Sequence, residues 1–239
     1  MRRETAFNVV ATAGRPCEIR RRGLPCAKTL VPLVISFQEP LTPMHSPPAI
    51  RLVFWMWFAV ALGVGHFLVL QRLPLPAIQG ILFGLTGLLV LAYRRITGFR
   101  MWVDGLDLRA LVLFHVTRFV GIYFLVLYRR GELPYEFAVP GGVGDILVAV
   151  LALIVVLLPL AEAKQRRAIY IWNVIGLIDI LLVVLAAARI GFSGGFGLYP
   201  LTYLPLSLLP TFLVPLIIAS HLAIFARLNH LARAESVER

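Results

Sequence analysis

The chain has 239 residues, 59% of them hydrophobic and 15% charged, with a formal net charge of +11. That is more apolar surface than a soluble domain of this length can bury in one core, so lipid must cover part of it. The arginines fall between long uncharged runs, as basic loops flanking membrane spans do, so the charge reads as topology and excludes a nucleic-acid partner.

Residues 1–48 differ from everything after them. They carry seven of the 23 Lys/Arg, both cysteines (Cys17 and Cys26) and prolines at 16, 25, 32, 40, 43, 47 and 48, without sustained periodicity. A disordered tail is expected there, or a true translation start at Met44. With both thiols in the tail, the hydrophobic body has none for a disulfide, an iron-sulfur cluster or a thiolate metal site.

The body, 49–239, alternates long apolar runs with short basic or Pro/Gly breaks, and a span of the hydrocarbon core needs about 20 apolar residues. Six runs qualify, near 50–71, 75–93, 106–128, 142–160, 168–188 and 201–226. Runs this long and uniformly apolar cannot form a closed barrel, so the predicted fold is all-α, a polytopic transmembrane bundle of six helices. With the amino terminus inside, Arg94, Arg95, Arg100, Arg109, Lys164, Arg166, Arg167, Arg227, Arg233 and Arg239 are cytoplasmic, against Arg72, Arg129, Arg130 and Arg189 outside. This asymmetry predicts both termini in the cytoplasm, in a bacterial inner membrane.

Gly80, Gly84 and Gly87 in the second span, and Ala59 with Gly63 in the first, fall at spacings that let helix backbones approach, so internal packing is expected at both. The stretch from Arg94 to Arg109, with Phe99, Met101 and Trp102 among charges, reads as an interfacial segment. In the last span Pro210 and Pro215 free the carbonyls of Leu206 and Thr211, either as plain bends or as a transport-type site; alternatively Pro200 and Pro205 belong to the outer loop and the span begins near Leu208.

Ionisable residues inside a bilayer normally face the bundle interior and have partners. His66, His115, Arg118, Asp145, Asn173 and Asp179 are therefore the candidate ligand or proton-pathway residues. Counting helical rise from the predicted span ends puts Arg118 and Asp179 at one level, roughly 15 Å deep, with Asp145 about 8 Å nearer the outer face. By the same count His221 lies within about 3 Å of the cytoplasmic surface. Arg118 is the expected hub, either an interhelical clamp or a site for an anionic group with an aspartate exchanging a proton. Gly141-Gly142-x-Gly144-Asp145 reads either as a turn whose amides open the fourth helix toward a ligand, or as glycines that only make the turn and a helix contact while Asp145 complements the helix dipole.

Several chemistries are set aside. Gly191-Phe192-Ser193-Gly194-Gly195 matches G-x-S-x-G, but Ser193 lies in an outer loop almost a bilayer from His221, unlike the serine and histidine of rhomboid intramembrane proteases. The histidines fall at different depths, which argues against haem, and His66 with Asp145 would be too few ligands for zinc. No cofactor and no metal are expected.

Residues 106–226 resemble a set of uncharacterised bacterial multi-span membrane proteins. The resemblance rests on R-G-x-L-P at Arg130 to Pro134, P-G-G-x-G-D at Pro140 to Asp145 and W-N-x-x-G-L-x-D at Trp172 to Asp179. It implies location and architecture, and no activity. The leading functional expectation is proton-coupled binding or transport of a small polar or anionic solute. The alternatives are a membrane-embedded enzyme acting on a lipid or lipid-linked group at the outer leaflet, and a non-catalytic scaffold; oligomeric state is left open.

Overall fold

A computed structural model of the chain describes residues 48–193 and 196–237. The expectations for the amino-terminal tail and for Met44 lie outside the described residues.

Eight α-helices and no strand occur among the described residues. They are α1 (Pro48–His66), α2 (Leu75–Arg95), α3 (Thr97–Asp104), α4 (Leu108–Leu113), α5 (Gly121–Arg129), α6 (Tyr135–Leu157), α7 (Glu162–Phe192) and α8 (Val214–Val237). A 3-10 stretch, Phe114–Val120, joins α4 to α5 in one continuous rod, and a π-helical turn, Leu209–Leu213, leads into α8. Six segments are long and apolar enough to cross a membrane: Pro48–His66, Pro76–Arg95, Leu108–Arg129, Tyr135–Leu157, Glu162–Phe192 and Leu209–Leu231. The all-α, six-span expectation holds, and the chain is a multi-pass integral membrane protein. Its outer surface is correspondingly apolar, with residues such as Trp55, Leu157 and Leu182 exposed for lipid to cover.

Local sequence explains the breaks. Gly131, at φ +74°, ends α5 in a Schellman motif: Glu132 N–H donates to the Leu127 carbonyl (2.9 Å) and Gly131 N–H to that of Tyr128 (2.9 Å). Pro134, extended at φ −72°, then caps α6, so the R-G-x-L-P segment is a helix stop followed directly by a helix start. Asp107 caps α4 by accepting from Arg109 N–H.

Three boundaries differ from expectation. The fourth span begins at Tyr135, seven residues before the expected 142, because Pro140 lies inside α6 and does not end it. The fifth runs 31 residues from Glu162. The sixth begins at Leu209 instead of 201, in line with the alternative start near Leu208, and leaves Pro200 and Pro205 in the preceding connection.

The freed carbonyls of that last span are satisfied within the protein. Pro215 has no N–H for the Thr211 carbonyl, which accepts instead from Trp57 Nε1 of α1 at 2.9 Å. The Leu206 carbonyl accepts from Leu209 N–H at 3.0 Å. The prolines therefore make a bend whose backbone groups are re-satisfied.

The glycine expectation is corrected. Nothing lies within 4 Å of where a Cβ would stand on Gly63, Gly80, Gly84 or Gly87, and Ala59 is exposed. Close packing falls elsewhere: a Cβ on Gly142 would stand 2.7 Å from the Gly121 carbonyl oxygen, and one on Gly121 would strike the carbonyl of Gly142. Spacing shows which faces can pack closely, but the fold chooses which of them do.

Along four spans a polar layer lies between two apolar clusters. One cluster contains Phe124, Phe137, Ile180 and Ile217, and the other Val112, Val148, Trp172 and Ile224. The third span passes from Val112 through His115 and Arg118 to Phe124, and α8 from Ile217 through Ser220 and His221 to Ile224.

Candidate functional site

Arg118 is the centre of this layer and is fully buried. It sits in the 3-10 stretch, whose three-residue turn places His115 and Arg118 one above the other. Arg118 Nε donates to Asp145 Oδ1 on α6 at 2.6 Å, and Nη1 donates to the Gly176 carbonyl on α7 at 2.9 Å. Nη2 donates to Asp179 Oδ2, also on α7. The Asp145 side chain is 5% exposed and that of Asp179 19%, so one carboxylate is sealed in and the other keeps an open edge.

Asp179 was expected level with Arg118, and the two are paired. Asp145 was expected nearer the outer face, and that is corrected: with α6 beginning at Tyr135, Asp145 is already in the third turn, level with the guanidinium. The glycines before it are correspondingly not a turn with free amides. Gly142 lies against Gly121 of α5, and a Cβ on Gly144 would collide with Asp179 Oδ1. Their missing side chains let α6 approach α5 and leave room for the Asp179 carboxylate.

Beside the triad is a second polar cluster. Asn173 Nδ2 donates to the His221 carbonyl at 3.0 Å, and Asn173 Oδ1 lies 2.7 Å from His221 Nδ1. The Asn173 oxygen can only accept, so His221 carries its proton on Nδ1 and presents a bare Nε2, which is buried and without a partner. Ser220 Oγ donates to the Ile217 carbonyl at 2.8 Å and lies 3.0 Å from His115 Nε2. The hydroxyl proton being engaged, His115 donates from Nε2 and its Nδ1 is the bare, buried nitrogen. The two imidazole rings are 4.2 Å apart between centroids, and the Trp172 ring lies against both.

Sequence reasoning missed His221 and Ser220. His221 is fully buried instead of near the surface, because α8 continues well past the expected end of the span. Gly176 also admits it, since a Cβ there would stand 2.6 Å from His221 Cε1. His66 does not join the cluster. It ends α1, is exposed, and meets Phe67 edge-on at 5.0 Å. Among the described residues no three His, Cys, Asp or Glu side chains gather as a metal site.

A cavity of about 70 Å³ reaches Arg118 and Asp145. Its other walls are mostly apolar, including Phe124, Phe137 and Leu198, apart from Gln79 of α2, whose Oε1 is buried without a partner. Asp179 is not among its walls, so cavity and open carboxylate edge are separate approaches to the same guanidinium.

The family model for DUF8737, a domain of unknown function, matches residues 75–229, more than half of the chain. The chain belongs to the DUF8737 family. Comparison with curated proteins found no match, and comparison with solved structures found none. The DUF8737 match runs from the first residue of α2 into α8, so the Arg118 triad and the histidine cluster lie wholly within it, whereas α1 lies outside.

Proposed function

We propose that this membrane protein binds a small polar solute and carries it across a bacterial inner membrane in a cycle coupled to protons, with both termini cytoplasmic. The carrying observation is that two carboxylates share one buried guanidinium. Fully ionised, the triad has one negative charge in excess, and an unbalanced charge in the interior is costly. A proton or a cationic group balances it. An anion would meet a guanidinium already held by two carboxylates, so a neutral or cationic solute is favoured over the anionic one expected from Arg118 alone.

Asp179, with its open edge, is the proton-exchanging group in this reading, and Asp145, facing the cavity, meets the solute. Arg118 couples them. Protonating Asp179 weakens its hold on Nη2 and frees the guanidinium to shift toward Asp145 and the cavity.

Proteoliposomes carrying an internal pH dye test this with a panel of amines, amino acids and sugars. At least one solute is expected to drive a change of luminal pH that Asp179→Asn abolishes in a folded protein. Proton movement unaffected by that substitution would overturn the reading. A second reading, an interhelical clamp, is favoured by the fact that Nε, Nη1 and Nη2 of Arg118 all have acceptors on α6 and α7.

A further inference from the structure

A larger space lies outside the polar layer. A groove of about 700 Å³, within the size range of ligand sites, is walled by α1, α2, α3, the third span and α8. Its floor is apolar, with Leu111, Phe114, Leu216 and Ala219 among the lining residues. Arg51 and Arg94 both line it; Arg94 lies at the end of α2 next to α3, and Arg51 lies about one helical turn from Phe54, which packs on Phe99 and Trp102 of α3. Both arginines are exposed, and neither makes an ion pair among the described residues.

The groove's depth identifies what fits it. Along α8 its lining runs from Ala226 to Leu216, ten residues or about 15 Å of helix, which is half of a hydrocarbon core about 30 Å thick. The cleft is therefore about one leaflet deep, with Leu216 at its inner end and Ser220 part-way along its wall. The rim is built for a membrane surface. Tyr93 and Trp102 line the cleft, and the short helix α3 packs Phe99 and Trp102 against Phe54 of α1, with ring centroids 6.4 and 5.7 Å away. Aromatic residues of this kind sit at the headgroup level.

We infer that this groove binds one anionic phospholipid of the leaflet into which Arg51 and Arg94 project, its acyl chain lying between α1, α2 and α8 and its phosphate between the two guanidinium groups. A chain anchored at the headgroup and one leaflet long fills an apolar cleft of this depth. Two cations at its mouth, without an ion pair among the described residues, select a headgroup with net negative charge over a zwitterionic one, as basic pockets between spans do. The inference is independent of the solute cycle at Arg118.

Tryptophan quenching by brominated lipids tests it, since Trp55 and Trp102 both line the cleft. The full-length protein is reconstituted in phosphatidylcholine with equal mole fractions of dibrominated phosphatidylglycerol or dibrominated phosphatidylcholine. Phosphatidylglycerol is expected to quench with an apparent affinity about 30-fold above that of phosphatidylcholine, at about 1 kcal/mol for each of the two arginines. Arg51→Gln with Arg94→Gln should bring the two lipids to parity, and raised salt should weaken the preference of the unaltered protein. Equal quenching by the two lipids, a preference indifferent to salt, or one surviving the double substitution would each overturn the proposal. The salt arm decides it even if the double variant does not insert.

Discussion

Arg118 and Asp145 meet at 2.6 Å between Nε and Oδ1, although a helix end, a Schellman turn and a new helix separate them in the chain. Removing Arg118 leaves two carboxylates without their shared partner in a layer closed by apolar clusters on both sides. Arg118→Met alone is therefore expected to lower stability by about 3 to 5 kcal/mol. Arg118→Met combined with Asp145→Leu and Asp179→Leu should recover much of that loss, measured by unfolding in mixed detergent. If the triple variant regains stability and the host loses no phenotype, the triad is a clamp. Regained stability with a lost phenotype supports the solute cycle.

Gly144→Ala places a methyl group on the Asp179 carboxylate, which cannot move away without leaving Arg118. A loss of about 1 to 3 kcal/mol is expected, as for other overpacked interiors. Gly84→Ala, with open space around its Cβ position, should be within about 0.5 kcal/mol of the parent in the same assay. Equal behaviour of the two would contradict the helix contacts described.

Asn173→Leu removes both groups that Asn173 offers to His221 and leaves the buried ring N–H unmatched, while the His221 carbonyl stays within the helix of α8. About 1 to 3 kcal/mol of destabilisation is expected for such an orphaned group. Unfolding midpoints of Asn173→Leu and of Asn173→Leu with His221→Phe check this, and the second change should restore part of the loss.

Both cysteines lie in the amino-terminal tail, so new thiols placed on a Cys17→Ser, Cys26→Ser background report topology cleanly. A cysteine at Ser193 should react with an impermeant maleimide added outside intact cells, and one at Ser236, beyond the sixth span, only after permeabilisation. The reverse pattern would invert the proposed orientation and place the anionic-lipid groove in the other leaflet.

Length, apolar runs and charge asymmetry are properties of the chain read one segment at a time, and they determined the helical class, the six spans and the need for an interior polar layer. A membrane leaves a backbone few other options, so composition alone carries that far. Arg118 and Asp179 were also legible as a pair, because both lie well inside spans whose depth tolerates small boundary errors.

Which polar groups meet was decided by tertiary structure, and the reason is helix boundaries. Moving the start of α6 to Tyr135 brings Asp145 level with Arg118, and prolonging α8 carries His221 from the surface into the core. Each residue of error shifts a side chain by about 1.5 Å and 100° of helix, enough to exchange one partner for another. The same limit applies to the glycines: spacing marks Gly80, Gly84 and Gly87, yet Gly142, Gly144 and Gly176 are among those that face a neighbour needing the room. That depends on how helices distant in sequence come to lie side by side, which no local pattern encodes.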